Sequence, residues 1–154
     1  MNLSVMIVVL QGLTVSQSNS PHPVVIVDDP QEVRRVVGRV EGIFTPSQIE
    51  AESPRRDLKR YLEAERRREK SVDTRRDLRR IGLLQDRYFW HCAGYIKGGQ
   101  KELFCSFVRQ EMIEMSRLRR KTFPTIYDGG ISVCWCYFSL KLGRIIRLEW
   151  NGEA

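Results

Sequence analysis

Five side chains suited to a soft metal, His91, Cys92, Cys105, Cys134 and Cys136, are spread through the second half of the chain. Zinc takes imidazole nitrogen and thiolate sulfur, four ligands in a tetrahedron. The types and number suffice, but the spacing does not. There is no C-x-x-C knuckle, and Cys134 and Cys136 sit two apart in a segment that reads as a strand. His91 and Cys92 are adjacent, so a strand would turn them to opposite faces. The expectation is four buried, free thiols and no metal. A bond between Cys134 and Cys136 would have to span about 6.6 Å between Cα atoms, at the limit of disulfide geometry. Any disulfide would instead join either of them to Cys92 or Cys105.

Acid–base and nucleophilic chemistry has little to build on. There are only two histidines, and His22 lies between prolines. His91 has no Ser or Asp pattern nearby, and beside Cys92 it does not form a dyad. G-x-S-x-G, H-E-x-x-H, a phosphate-binding P-loop and a dinucleotide fingerprint are all missing. Gly98-Gly99 and Gly129-Gly130 are bare pairs that read as turns. The chain therefore reads as a non-enzymatic protein with no cofactor and no evident small-molecule substrate.

Charge is the stronger signal. The 154 residues carry 26 basic and 19 acidic groups, a net +7. Residues 1–52 have 3 basic and 6 acidic groups, residues 53–121 have 20 and 10, and residues 122–154 have 3 and 3. A basic centre between neutral or acidic flanks points to an anionic partner. Arginine supplies 20 of the 26 basic groups, and its planar fork suits phosphate and carboxylate. The surplus lies in Arg55, Arg56, Lys59, Arg60, Arg75, Arg76, Arg79 and Arg80, the expected nucleic-acid-binding residues. A helix bearing them could follow a phosphate backbone and release its counterions. The competing reading is a solvated face. Glu63 precedes Arg66 and Arg67, Glu65 precedes Arg68, Asp73 precedes Arg76, and Asp77 precedes Arg80, each at helical pairing distance.

The elements that must position these groups make an α+β chain. A strand is expected over 24–27. Asp29-Pro30 starts a helix whose stripe is Val33, Val36, Val37 and Val40, with Gly42 placed to end it. Thr45-Pro46 reads as one turn, and Ser53-Pro54 starts a long Arg-rich helix. Its apolar stripe is narrow: Leu58, Tyr61 and Leu62, then Leu78, Ile81 and Leu84. The stripe does not hold a heptad, which argues against a long coiled coil. Ser71-Val72-Asp73 could break the helix, with Asp73 as a second N-cap.

Residues 87–96 read as an aromatic strand, and Lys97-Gly98-Gly99-Gln100 as a turn. Residues 102–120 fit a helix better than a strand, through Leu103, Phe104, Phe107, Val108, Met112, Met115 and Leu118. Residues 131–140 and 144–150 form an antiparallel hairpin, with Ile146, Leu148 and Trp150 facing inward. The aromatics of these strands read as a packed core, since no RRM-like string accompanies them.

The layout is an apolar N-terminal segment and loop over 1–22, a short strand and helix over 23–52, a basic helical region over 53–84, and an aromatic-rich α+β core over 85–154. Residues 1–15 are too short a run to span a bilayer. They read as a buried strand over 5–10 or as a secretory signal with Ser16 and Ser18 near its end. The strand is preferred because no base precedes the run and Gln11-Gly12 interrupts it. The functional expectation is a small binding or regulatory protein, cytoplasmic or nuclear, that contacts nucleic acid, RNA rather than DNA. The alternative is a protein-interaction module whose basic helix is solvated or meets an acidic protein surface. That module would be secreted if residues 1–18 are a signal.

Overall fold

Asp29 caps the first helix as its sequence implies: its carboxylate accepts the Gln31 N–H, and Pro30 takes the first helical position. The computed structural model describes residues 22–126 and 129–151. Helix α1, Pro30–Val37, ends earlier than expected, at Gly38, whose φ of +75° stops it. Gly42 instead opens a short strand that the sequence reading missed. The expected strand over 5–10 lies outside the described residues.

The longest helix, α2, is Gln48–Arg68. It does not begin at Ser53-Pro54. Ser47 caps it, and Glu50 closes a reciprocal capping box. Pro54 sits inside, where it lacks an N–H to donate. The Ile49 carbonyl in that turn accepts from the Ser53 hydroxyl and the Arg56 guanidinium. A second helix, α3, Val72–Leu83, is capped by Ser71, with Asp73 in its first turn and not at the cap.

Six strands make one mixed sheet: β1 Val25–Ile26, β2 Gly42–Phe44, β3 Tyr88–Lys97, β4 Gln100–Arg109, β5 Val133–Ser139 and β6 Arg144–Trp150. One edge of β3 pairs with β1 in parallel and with β2 antiparallel. The other edge continues antiparallel through β4, β5 and β6. The hairpin expected over 131–150 is present. The helix expected over 102–120 is not. Residues 102–109 belong to β4, and only Met115–Leu118, helix α4, is α-helical beyond them. The reason is local and tertiary together. Gly98 and Gly99 both have positive φ, the two-residue turn that matches strand twist. Both faces of β4 are then covered, so its apolar run shows no alternation and mimics a helical stripe.

One face carries Tyr88, Trp90, Cys92, Cys105 and Phe107, roofed by Leu58 and Leu62 of α2 and Leu78 and Ile81 of α3. The other packs Ala93, Tyr95 and Phe104 against Val33 of α1 and Phe123. It also packs Phe89 and Val108 against Leu118. In β6 Leu148 and Trp150 pack on the core as expected, but Ile145 takes the third inward place and Ile146 is exposed. A register shift between Tyr137 and Phe138 slips the alternation by one residue there.

Candidate anion-binding surface

Helices α2 and α3 follow each other across only residues 69–71, so the end of one and the start of the other form a single basic tip. Sequence reasoning placed eight cations on this region, and the structure separates them by partner. Arg55 is the most enclosed, with its side chain 8 % exposed. It pairs with Glu52 and donates to the His22 carbonyl at 2.8 Å. Glu52 also accepts the Val24 N–H. This cluster ties β1 to α2 and is structural. Arg56 serves the Ile49 carbonyl. Arg60 pairs with buried Asp57 at 2.5 Å and reaches the Gly143 carbonyl. Arg76 pairs with Asp73 and Asp77, and Arg80 with Asp77.

The other three, Lys59, Arg75 and Arg79, are exposed and make no ion pair or side-chain hydrogen bond among the described residues. Arg66, Arg67 and Lys70 share that condition and were not singled out from the sequence, because Glu63 was expected to pair with Arg66 and Arg67. Among the described residues those pairs do not form; the Glu65–Arg68 pair does, at 3.5 Å. The available signal was the helix break: cations flanking Ser71-Val72 stand at a hairpin tip, not along a straight helix. On α3, exposed Val72 and Leu83 extend the line of Arg75, Arg76 and Arg79 at helical spacing.

A groove of about 680 Å³ runs along the other side of α2 toward the β5–β6 turn, bordered by Arg60, Tyr61, Glu65, Arg68, Arg144 and Ile146. Its Arg60 and Arg68 are already paired with Asp57 and Glu65. A second hollow of about 520 Å³ lies beside Arg117, Arg120 and Phe123.

Groups with latent chemistry are buried in the sheet. His91 is fully buried, and burial pulls it down to about 4. The carbonyls of Leu118 and Arg120 approach the ring without completing a hydrogen bond, and neither ring nitrogen is partnered. Ser106 is its register partner on β4, a neighbour the sequence reading did not see, and its hydroxyl is also unpartnered. Cys92, Cys105, Cys134 and Cys136 are all buried, free thiols. Burial pushes Cys105 and Cys134 well above the ordinary thiol range. Among the described residues no three His, Cys, Asp or Glu side chains gather as a metal would require. No described helix is long and apolar enough to cross a membrane.

Fold and surface together define an α+β protein with a basic helical hairpin on a mixed sheet. Nothing matches the chain among protein-family models, curated proteins or solved structures.

Proposed function

We propose that the chain binds a polyanion, single-stranded RNA first, through the tip and outer face of the α2–α3 hairpin. The observation that carries this reading is the set of six cations, Lys59, Arg66, Arg67, Lys70, Arg75 and Arg79, without acidic partners among the described residues. Cations that a helix's own acids satisfy have less to gain from a phosphate. Unopposed ones exchange weakly held counterions for it. No base-reading motif accompanies them, so the contacts are to the backbone and only weakly selective. Arg76 and Arg80 stand beside the set and contribute less, since Asp73 and Asp77 already neutralise them in part.

A salt titration against a generic single-stranded RNA tests it. Binding weakens steeply with salt, with a slope of about −0.7 in log K against log salt for each phosphate neutralised. Replacing Arg66, Arg67, Lys70, Arg75 and Arg79 with Gln flattens that slope. Failure of the wild-type chain to bind RNA at low salt rejects the reading.

One observation favours a second reading, an acidic protein partner. Val72 and Leu83 are 70 % and 74 % exposed on the stripe that carries Arg75 and Arg79. A partner helix with acidic and apolar residues would use both. In that case Val72→Ser and Leu83→Ser weaken binding as much as the arginine changes do, whereas RNA binding does not respond to them.

A further inference from the structure

Cys92 and Cys105 are register partners on β3 and β4, and Cys105 is the register partner of Cys136 on β5. Three thiols thus form a row across three strands, on the face that α2 and α3 cover. The two neighbouring pairs are not equivalent. The Cys92 carbonyl accepts the Val27 N–H, so its backbone is turned toward β1 and away from β4. Cys92 and Cys105 are therefore a non-hydrogen-bonded antiparallel pair, the kind that brings Cα atoms to about 4.5 Å and side chains closest. The backbone of Cys105 is turned toward β5, as the Leu140-to-Lys101 bond on the same strand edge requires. Cys105 and Cys136 are then a hydrogen-bonded pair, about 5.5 Å apart at Cα, and the Cys136 thiol also lies near enough to interact with that of Cys105. The Sγ atoms of Cys92 and Cys105 lie 2.7 Å apart.

We propose that Cys92 and Cys105 are a disulfide site, closed across the β3–β4 hairpin when the chain folds in the presence of a disulfide oxidant. The thiolate of one cysteine attacks the oxidant disulfide, forming a mixed disulfide and releasing one thiol. The thiolate of the other attacks the protein sulfur of that mixed disulfide, closing the protein bond and releasing the second thiol. The protein loses two protons and two electrons, and the oxidant is reduced to two thiols. Both cysteines are wholly buried in the folded chain. Exchange needs access to sulfur, so the bond forms while the hairpin is open to solvent and is then sealed under α2 and α3.

Refolding the reduced full chain in a glutathione redox buffer, followed by non-reducing tryptic mass mapping, tests this. Trypsin leaves Cys92 in residues 88–97, Cys105 in 102–109, and Cys134 with Cys136 in 122–141. The expected product is the first peptide linked to the second, retained in Cys134→Ala/Cys136→Ala and lost in Cys92→Ala. Oxidised glutathione added to chain already folded in reductant should leave both peptides unlinked for hours. The oxidised form should melt several degrees above the reduced form, since the bond closes a short loop in the unfolded chain. A link from Cys105 to residues 122–141, or no link after oxidative refolding of the wild-type chain, overturns the assignment.

Discussion

Asp57 on α2 accepts the backbone N–H of Ile145 on β6 at 2.7 Å, across 88 residues of chain. Strand β6 is the last of the sheet, and the Ile145 N–H, next to the unpaired Ile146, is held by a side chain from outside the sheet. Arg60 closes over the same carboxylate from the solvent side. The pair fixes the long helix to the edge strand.

Asp57→Ala leaves a buried N–H without its acceptor. The expected loss is about 1–3 kcal/mol by urea unfolding. Asp57→Asn keeps one acceptor oxygen and should lose less than half of that. Equal losses in the two variants would mean that the hydrogen bond is not the source of the stability.

His91 gives the fold a dependence on pH. Its native pKa is pulled down to about 4, against the ordinary 6.5 of the unfolded chain. Between those values the unfolded state binds the extra proton. The contribution is fully present above pH 6.5 and is lost as pH falls toward 4, amounting to about 3 kcal/mol. His91→Phe should flatten the stability curve across that window. An unchanged slope in the variant would remove His91 as the cause.

Gly94 lies where β2 crosses close to β3. A Cβ there would stand 2.6 Å from the Phe44 carbonyl oxygen and 2.7 Å from the Phe44 ring. The carbonyl is backbone and cannot swing aside. Gly94→Ala should therefore unpair β2 or cost about 2 kcal/mol or more, whereas Gly82→Ala meets only a Leu62 methyl at 3.6 Å and should be mild. Amide exchange across residues 42–44 would report the unpairing.

Arg55 and Arg75 look alike in sequence and should behave oppositely. Arg55→Gln strips a nearly buried cation from Glu52 and from the His22 carbonyl, at an expected cost of about 1–3 kcal/mol. Arg75→Gln and Arg79→Gln should stay within about 0.5 kcal/mol, because nothing in the described fold depends on them. Thermal melts of the three variants decide this without any ligand.

Elements that announce themselves locally were legible from the residues. Asp29-Pro30 specifies the start of α1 through one cap and one fixed φ. The aromatic run of β3 and the hairpin of β5 with β6 follow from strand composition bounded by turns. The basic surplus over residues 53–80 is a matter of composition alone, and so was visible at once. What could not be read required distant partners. The run from Leu103 to Val108 is a strand because α2 and α3 cover one of its faces while Leu118 and Phe123 cover the other, which erases the alternation that marks a half-buried strand. Pro54 continues α2 because the box at Ser47 and Glu50 had already started the helix. Which arginines are spent on the fold depends on carbonyls and carboxylates brought from elsewhere: Arg55 meets the His22 carbonyl, Arg60 meets Gly143, and Arg75 meets no partner among the described residues. The Cys92–Cys105 pairing was hidden for the same reason. Spacing in the chain counts residues, but whether two side chains lean together depends on which edge of each strand its neighbours have already taken.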